Sequence, residues 1–410
     1  MKRSTKILSA LLSLLLLLSF AVSCAESGSS PKDTDPVTDA ATDPVIDKYE
    51  LTVAGKPLSD FRIVYAEAPY SEKEIKHFEE SEEEYDFFYL TALSLSDRIF
   101  AMTGVRLPLS SEENDPVDCE ILVGPTNRPE SEGVKDMDVY DYEIAVKNGK
   151  LVVAAGYIAS EYVNKIKLTY CFATTYHAWD YAEKAIRAAK QVKYDFAEGS
   201  ALTGSAAAAI TTVAMIGDSI TDMAYTTAVP YNYPSCLGRC LWQDFLILNY
   251  GISGKTMRSD LADAYTKSNG YTAAEQHCDI FDVVVMMLGT NDSNRDREWT
   301  EEDDDAFIDG CMEILDSVVV DDDSVKTVVC TSPAYYGKDN FTSDDVLYLE
   351  EEMQKTLTAA GYGNVSTFDM YTYTDDVLTV ARYPDKLHPD EEGCLLMAQG
   401  IAEYLKELVK

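Results

Sequence analysis

The sequence predicts an α/β protein, in which a parallel sheet covered by helices on both faces follows a smaller α+β domain. From Thr211 onward, five short apolar segments alternate with helical segments, which is typical of a parallel sheet. These segments are nearly continuous runs of Val, Ile, Leu and Met, as expected for strands buried on both faces. Before them lies a stretch of small residues, "AEGSALTGSAAAAI". We therefore predict an accessory domain at 49–198, a linker at 199–210 and an α/β domain at 211–410.

The predicted strands of the α/β domain are "TTVAMIG", "FLILNYG", "DVVVMMLG", "KTVVCTS" and "GNVSTFDM", and the last is followed by a final helix. In open parallel sheets, ligands bind outside the carboxyl ends of the strands. The residues that directly follow each strand are therefore the candidates for chemistry.

The accessory domain has mixed signals. "FRIVYA" and "CEILVG" read as strands, and "YEIAVKNGKLVVAAG" predicts a hairpin that turns at Asn148-Gly149. Helical periodicity is found in "SEKEIKHFEESEEEYDFFYLTALSLSDRIFAMTG" and in "ASEYVNKIKLTYCFATTYHAWDYAEKAIRAAK". This order, with the phrases "TGVRLPL" and "ILVGPTNR", resembles the small N-terminal domain of some α-glucuronidases and hexosaminidases. The resemblance implies a domain of the kind that accompanies carbohydrate-active enzymes. It assigns no catalytic residue in this chain.

The first residues predict export. "MKRSTKILSALLSLLLLLSFAVSC" places basic residues before an apolar core and small residues, as a secretory signal does. Its end, "AVSC", resembles a bacterial lipobox, with alanine where leucine is usual. We therefore expect a signal peptide at 1–23, lipid attachment at Cys24 and a membrane-anchored lipoprotein at the bacterial cell surface. An ordinary cleaved signal peptide and an uncleaved anchor helix are the alternatives. Residues 24–48, rich in Ser, Thr, Asp and Pro, predict a flexible tether.

The net charge and the cysteine pattern limit the classes of binding partner expected for this protein. The formal net charge is −37, with 71 acidic against 34 basic residues, which argues against nucleic acid because phosphate contacts need clustered basic side chains. No apolar stretch beyond the signal is long enough to span a bilayer, so membrane contact is expected through the lipid anchor only. The eight cysteines after Cys24 are irregularly spaced, and most are expected to be buried thiols. A pairing or metal contact of Cys236 and Cys240 is the alternative.

Polar residues and glycines follow the predicted strands at several points: Ser219 in "GDSIT", Gly251 and Gly254 in "NYGISGKT", Asn291 in "LGTND", and Asp385 with His388 in "YPDKLHPDEEG". Acyl transfer by serine needs a base that removes the hydroxyl proton, and histidine suits this role because its ordinary pKa is about 6.5. A carboxylate must then orient the imidazole. The D-x-x-H spacing allows Asp385 to bond Nδ1 of His388, which leaves Nε2 for Ser219.

The oxyanion of the tetrahedral intermediate needs hydrogen-bond donors. The Ser219 N–H, the Gly254 N–H and the Asn291 amide are the candidates, whereas Gly251 is interpreted as a packing glycine. Serine is also a favoured helix N-cap, so Ser219 taken alone is better explained as a cap, and it is the three partner segments that favour the nucleophile. Asn291 begins a glycosylation sequon, "NDS". The aspartates of these segments, Asp218, Asp222 and Asp292, are interpreted as hydrogen-bond partners that hold the loops, with a metal site as the alternative.

The set "GDSIT", "NYGISG", "GTND" and "DKLHP" resembles the four sequence blocks of the SGNH, or GDSL-type, hydrolases, in the family's order across residues 211–410. The resemblance implies a flavodoxin-like, three-layer α/β/α fold, with Ser219 as nucleophile and Asp385 and His388 as acid and base. It also implies an oxyanion hole of Ser219, Gly254 and Asn291, and neither metal nor cofactor. No G-x-S-x-G elbow occurs in the chain, which disfavours an ordinary α/β-hydrolase.

These observations predict a secreted, lipid-anchored serine esterase that acts through an acyl-enzyme. O-acetyl groups on carbohydrate are the preferred substrate, because anchored members of the family with such accessory domains often act on acylated carbohydrates. Another small ester is possible on the same site. The alternatives are a lipase or thioesterase and an inactive glycan-binding surface protein. Tyrosines in "AYTTAVPYNYP" and "PAYYG" suit either sugar stacking or ordinary packing. The sequence leaves the oligomeric state open.

Overall fold

The structure is a computed structural model that describes residues 48–67, 87–133, 137–165, 168–222, 232–293, 299–319, 324–334 and 344–410. The predicted signal peptide, Cys24 and the predicted tether up to residue 47 lie outside these ranges. The described residues belong to one compact unit. None of the helices in these ranges is both long and apolar enough to cross a membrane.

The accessory part is built on a six-stranded mixed sheet with strand order β11-β6-β7-β5-β3-β4. Its strands and those of two smaller sheets are β1 (Glu50–Val53), β2 (Lys56–Pro57), β3 (Arg62–Tyr65), β4 (Leu109–Ser111), β5 (Glu120–Val123), β6 (Asp141–Lys147), β7 (Lys150–Ala155), β8 (Tyr157–Ala159), β9 (Leu168–Tyr170), β10 (Lys193–Phe196) and β11 (Ala201–Ser205). Helices α1 (Phe87–Thr103) and α2 (Phe172–Ala188) pack on each other and on the large sheet. The predicted hairpin is confirmed, since Asn148 and Gly149 turn β6 into β7 with φ of 53° and 75°.

Two accessory segments differ from the prediction. Within the predicted linker at 199–210, β11 pairs antiparallel with β6, so this part of the segment is an edge strand. Backbone pairing needs no large side chains, so a run of small residues does not predict this strand.

The second long helix was predicted too early in the chain. It begins only at Phe172, and β8 and β9 precede it as an antiparallel hairpin. In the loop of that hairpin, Asn164 and Lys165 have φ of 51° and 54°. Two consecutive left-handed residues cannot continue a right-handed helix, so tertiary contacts of this loop override its helical periodicity.

The C-terminal part contains a five-stranded sheet in which every neighbouring pair is parallel. Its strands are β12 (Thr211–Gly217), β13 (Phe245–Asn249), β14 (Val283–Met287), β15 (Lys326–Cys330) and β16 (Val365–Phe368). The spatial order is β13-β12-β14-β15-β16, which is the flavodoxin-like doubly wound order. All five predicted strands are therefore confirmed, and β13 lies at one edge of the sheet.

Helices cover both faces of this sheet: α3 (Ser219–Asp222), α4 (Tyr233–Leu241), α5 (Asn269–Gln276), α6 (Thr290–Ser293), α7 (Glu301–Val318), α8 (Asp344–Ala360), α9 (Met370–Val377) and α10 (Glu391–Leu408). Successive side chains of β12 enter two separate apolar cores. Ala214 and Ile216 join the core formed with α5, α7 and α8, whereas Val213 and Met215 join the core formed with α4, α9 and α10. The alternation confirms the predicted three-layer α/β/α fold.

The accessory sheet and the five-stranded sheet share a core. One cluster of buried apolar side chains contains both Ile63 and Ile144 of the accessory sheet and Ile216 of β12. Polar contacts cross the same boundary, because the Tyr140 hydroxyl bonds Thr212. The eight described cysteines are free thiols, and seven of them are in positions of low or intermediate exposure beside these cores: Cys119, Cys171, Cys236, Cys278, Cys311, Cys330 and Cys394.

Candidate active site

Ser219 follows the end of the first strand of the five-stranded sheet and is the first residue of α3. The turn between them is tight: a Cβ added to Gly217 would lie 2.0 Å from Thr221 Oγ1 and 2.9 Å from the Met287 carbonyl oxygen. The helix is capped by Asp218, whose Oδ1 accepts a 2.9 Å hydrogen bond from the Ile220 N–H. The cap interpretation of Ser219 is therefore corrected, because Asp218 satisfies the helix and leaves the Ser219 hydroxyl for another partner.

That partner is the histidine of the last predicted block. Nε2 of His388 lies 2.8 Å from Ser219 Oγ, and its Nδ1 lies 2.7 Å from Asp385 Oδ2. The D-x-x-H segment is folded back on itself, since the other oxygen of Asp385 accepts hydrogen bonds from the backbone N–H groups of His388 and Leu387, at 2.7 and 3.0 Å. The structure thus brings together the three residues that the sequence proposed as nucleophile, base and acid.

The electrostatics of Asp385 suit a carboxylate that orients an imidazole. Burial raises the pKa of Asp385, but hydrogen bonds from the side chain and backbone of His388 and from Leu387 outweigh it, so the net pKa lies below the usual value. The His388 side chain is 14% exposed and that of Asp385 is 45% exposed. A charged Asp385 facing Nδ1 fixes the tautomer that presents a bare Nε2 to the serine hydroxyl.

The end of the second strand supplies a turn beside α3. Asp222, the last residue of α3, accepts hydrogen bonds through Oδ2 from the Ser253 N–H at 2.9 Å and from its hydroxyl at 2.7 Å. The next residue, Gly254, is exposed and has φ of 76°. Within the described residues, neither the Gly254 N–H nor the Ser219 N–H has a hydrogen-bond acceptor. Both predicted backbone donors are therefore open.

Gly251 is a packing residue, as interpreted from the sequence. Its N–H donates to Asn249 Oδ1 at 2.8 Å. A Cβ at this position would lie 2.7 Å from the backbone nitrogen of Asp222 and 2.8 Å from Thr221 Cβ. The glycine is thus needed for close approach of the second strand end to α3.

Asn291 lies at the end of the third strand, in α6, and is engaged through both hydrogens of its amide. Nδ2 donates to the Lys255 carbonyl oxygen at 2.9 Å and to Asp218 Oδ2 at 3.3 Å. The second of these bonds is long and therefore weak. To bond an oxyanion at Ser219, Asn291 has to exchange one of them, and the bond to Asp218 is the one that costs less to lose.

The three aspartates of the sequence blocks each bind loop N–H groups. Asp218 caps α3, Asp222 holds Ser253, and Asp292 accepts from the backbone of Met257 and Arg258 at 2.9 and 3.1 Å. In the part of the chain that the structure describes, no group of three or more His, Cys, Asp or Glu is arranged to hold a metal. These contacts agree with the loop-holding interpretation. Burial, followed by the charges of Asp292 and Asp222, raises the pKa of Asp218 to about 7.

Glu350 is a buried acid at this edge that the sequence reasoning missed. It is fully buried, and its two oxygens accept 2.8 Å hydrogen bonds from the N–H and the hydroxyl of Ser332, which follows β15. Burial raises the pKa of Glu350 well above its usual value, and Asp292 and Asp218 raise it further. A sequence signal exists, because Glu350 falls on the apolar stripe of α8 between Val346 and Met353.

Comparisons with known proteins give a matching family model, a curated relative and solved structures that are similar to this chain. Residues 215–395 match the model of the GDSL-like Lipase/Acylhydrolase family. Over 219 residues the chain is 26% identical to an acetylxylan esterase of Xylanibacter ruminicola. The matched region covers 47% of this chain and 43% of that protein. The match thus spans less than half the length of this curated relative.

Two solved structures are also similar. One is a carbohydrate acetylesterase family member from Sinorhizobium meliloti, 19% identical over 49% of this chain and 99% of that chain, with a TM-score of 0.37. The other is the inhibitor-bound form of the aryl esterase of M. smegmatis, 20% identical over 48% of this chain and 99% of that chain, also with a TM-score of 0.37. At these TM-scores, neither similarity bears on the substrate.

The fold and the site together define a carboxylic ester hydrolase domain. It combines a doubly wound parallel sheet with a hydrogen-bonded serine, histidine and aspartate at the carboxyl ends of the strands. Residues 215–395 are, more specifically, similar to the GDSL-like lipase/acylhydrolase family, and this range contains Ser219, Gly254, Asn291, Asp385 and His388.

Proposed function

We propose that this protein is a secreted, lipid-anchored serine esterase that removes O-acetyl groups from carbohydrate through an acyl-enzyme. The observation that carries the reaction is the continuous hydrogen-bonded chain from Ser219 through His388 to Asp385. The substrate rests on the 26% identity to an acetylxylan esterase. The location rests on the N-terminal signal sequence and on Cys24.

The first half of the reaction acylates the serine. Ser219 Oγ attacks the ester carbonyl carbon while Nε2 of His388 takes the hydroxyl proton. The oxyanion that forms accepts hydrogen bonds from the N–H groups of Ser219 and Gly254 and from Nδ2 of Asn291. The C–O bond to the sugar then breaks, and the leaving alkoxide takes the proton from His388. The sugar hydroxyl is released and the acetyl group stays on Ser219.

The second half removes the acetyl group. Water attacks the acyl carbon while Nε2 of His388 takes one of its protons, and the same N–H donors bind the new oxyanion. The bond to Ser219 Oγ breaks, His388 returns the proton to that oxygen, and acetate leaves. The charge of Asp385 stabilises the imidazolium in both halves, so no metal or cofactor is needed for the proton transfers.

The test is acid release from acetylated xylan and from aryl esters of increasing acyl length, by wild type and Ser219→Ala. We expect wild type to release acetate from xylan, to prefer short acyl chains, and to react with a serine-directed phosphonate. Ser219→Ala should lose activity by several orders of magnitude and should not label. A preference for long acyl chains would favour a lipase or thioesterase instead. A wild type that neither cleaves an ester nor labels, but binds xylan, would indicate an inactive glycan-binding protein.

The anchor has a separate test. Cells that express the full chain would be fed labelled palmitate, and wild type would be compared with Cys24→Ser. We expect label in the wild-type membrane fraction and its loss in the variant. An unlabelled wild type that is found in the medium would mean an ordinary cleaved signal peptide.

A further inference from the structure

The loop of the β8-β9 hairpin, in the accessory part, covers the open edge of the catalytic sheet. The Asn164 N–H donates to the Asn249 carbonyl oxygen at 3.0 Å, and the Asn249 N–H donates to Asn164 Oδ1 at 2.8 Å. Nδ2 of Asn164 donates to the Ile247 carbonyl oxygen at 3.4 Å. One residue therefore satisfies the edge strand β13 in the manner of a neighbouring strand.

The strand residue that receives these bonds also holds the active-site loops. Asn249 is fully buried, and its Nδ2 donates to the Thr221 carbonyl oxygen in α3 at 2.9 Å. Its Oδ1 accepts from the Gly251 N–H at 2.8 Å. Asn249 thus connects the hairpin loop to α3, the helix that begins at Ser219.

The next residue of the loop reaches the same helix directly. Nζ of Lys165 lies 3.4 Å from Asp222 Oδ1, and the two side chains are 20% and 6% exposed. The Asp222 Oδ1 atom is buried and has no hydrogen bond within the described residues, while Oδ2 holds the backbone and hydroxyl of Ser253. The ammonium of Lys165 therefore compensates a buried charge whose other oxygen fixes the turn before Gly254.

We infer that the accessory part completes the esterase site, with Lys165 as a positioning residue for the Ser253–Gly254 turn. This inference rests on the proposed function, since it assumes that Ser219 is acylated and that the Gly254 N–H binds the oxyanion. Without Lys165, the carboxylate of Asp222 is a buried charge with no cation among the described residues, which is strongly unfavourable. The Asp222 side chain then rotates toward water or draws water in, and its hydrogen bonds with the N–H and hydroxyl of Ser253 weaken.

Loosening this turn affects the transition state more than substrate binding. The Gly254 N–H meets a full negative charge only when the tetrahedral intermediate forms. A displacement of that donor by about 1 Å, which can cost on the order of 100-fold in rate, lowers kcat and leaves KM nearly unchanged.

The experiment measures kcat and KM of Lys165→Met on an aryl acetate, with Lys193→Met as the matched control. Lys193 also lies in the accessory part, in β10, but its side chain is 81% exposed and pairs with Glu50, which is exposed too. We expect Lys165→Met to lose about 10- to 100-fold in kcat with KM within about twofold, and Lys193→Met to match wild type. Lys165→Arg, which keeps the charge, should recover most of the rate.

A double-mutant cycle separates positioning from general destabilisation. Asp222→Asn removes the charge that Lys165 compensates, so adding Lys165→Met to Asp222→Asn should lower kcat by less than about twofold. Asn164→Gly keeps the left-handed backbone but loses the side-chain bonds to β13, and it should lower kcat in the same direction. Thermal unfolding is recorded for every variant, so that a misfolded protein is recognised.

Three results with these variants overturn the inference. It is wrong if Lys165→Met keeps the wild-type kcat, if only KM changes, or if the loss is as large in the Asp222→Asn background. A wild type that cleaves aryl acetate but not acetylated xylan refutes the proposed substrate and leaves this test intact. A wild type that cleaves neither and does not label with the phosphonate refutes the proposed function and this inference together.

Discussion

At the scale of the residue, the site depends on carboxylates that differ in what surrounds them. Asp385 is partly exposed and receives three hydrogen bonds from its own turn, which lower its pKa. Asp218 is fully buried beside two other acids, and its pKa rises to about 7. The first is therefore charged at neutral pH and can orient His388, whereas the second is suited to hold Asn291 and the Ile220 N–H in place.

The role assigned to Asp385 predicts the effect of Asp385→Asn. The amide oxygen can keep the bonds from the backbone of Leu387 and His388, so the loop is retained, but the amide nitrogen then faces Nδ1. This forces the imidazole to carry its proton on Nε2, where it cannot accept the serine proton. We expect kcat to fall by about 10³- to 10⁴-fold, measured on an aryl acetate. The exposed Asp376→Asn is the control, and a loss of less than tenfold would contradict the assigned role.

Asn291 gives the second prediction at this scale. If its amide exchanges the 3.3 Å bond to Asp218 for the oxyanion, Asn291→Ala should lower kcat by about 10²- to 10³-fold. KM should change little, because the oxyanion is absent from the ground state. Steady-state kinetics of the variant decides this. Unchanged kcat would mean that Asn291 only holds the Lys255 and Asp218 loops together.

At the scale of the element, the active site is an assembly of strand ends. The turn after β12 needs Gly217 for its close contact with Thr221, and the segment after β13 needs Gly251 for its contact with Asp222. Doubly wound sheets place these ends at one edge, so short polar segments far apart in the chain meet there. The accessory hairpin adds a further segment, through Asn164 and Lys165, at the edge strand.

Two glycines of one segment should respond differently to alanine. A Cβ on Gly254 meets nothing within 4 Å, so Gly254→Ala has only the cost of a left-handed backbone at φ 76°, about 1–2 kcal/mol. A Cβ on Gly251 would lie 2.7 Å from the Asp222 backbone nitrogen, and the strand end must move to admit it. Chemical denaturation should show the larger loss for Gly251→Ala. Equal losses would mean that the segment is not packed as the structure has it.

At the scale of the whole molecule, much of the architecture was predictable because its signals are local. The five buried strands read as apolar runs, and the triad residues follow from strand ends and the D-x-x-H spacing. Lys165 carries no such signal: its role depends on a hairpin that the helical periodicity of 159–190 concealed, and on its docking against β13. Glu350 does carry a local signal, its place on the apolar stripe of α8, but its partner Ser332 is close only in the folded sheet.

The buried acids also shape stability as a function of pH. Burial raises the pKa of Glu350 well above 4.5 and that of Asp218 from 3.8 to about 7. For both groups the native state binds a proton more tightly than the unfolded chain. Their contribution to stability is therefore complete below about pH 4 and is lost as the pH rises through their raised pKa values.

Glu120 affects the pH dependence of stability in the opposite sense. Burial raises its pKa, but hydrogen bonds from Lys150, Arg62 and Arg128 outweigh this and lower it to about 2, so its contribution is lost on acidification below 4.5.

These opposing effects predict the behaviour of Glu350→Gln. Glutamine fits the same site, because its oxygen can accept from the Ser332 N–H and its amide nitrogen can donate to the Ser332 hydroxyl, so the variant should fold. Denaturant unfolding of wild type at a series of pH values should give a free energy of unfolding that falls from about pH 4.5 toward neutrality. In Glu350→Gln this fall should be smaller, since the variant has no proton to lose there. Glu351→Gln, on the exposed face of the same helix, should keep the wild-type slope. An unchanged slope in Glu350→Gln would show that Glu350 is ionised in the fold and that its contacts with Ser332 compensate its burial.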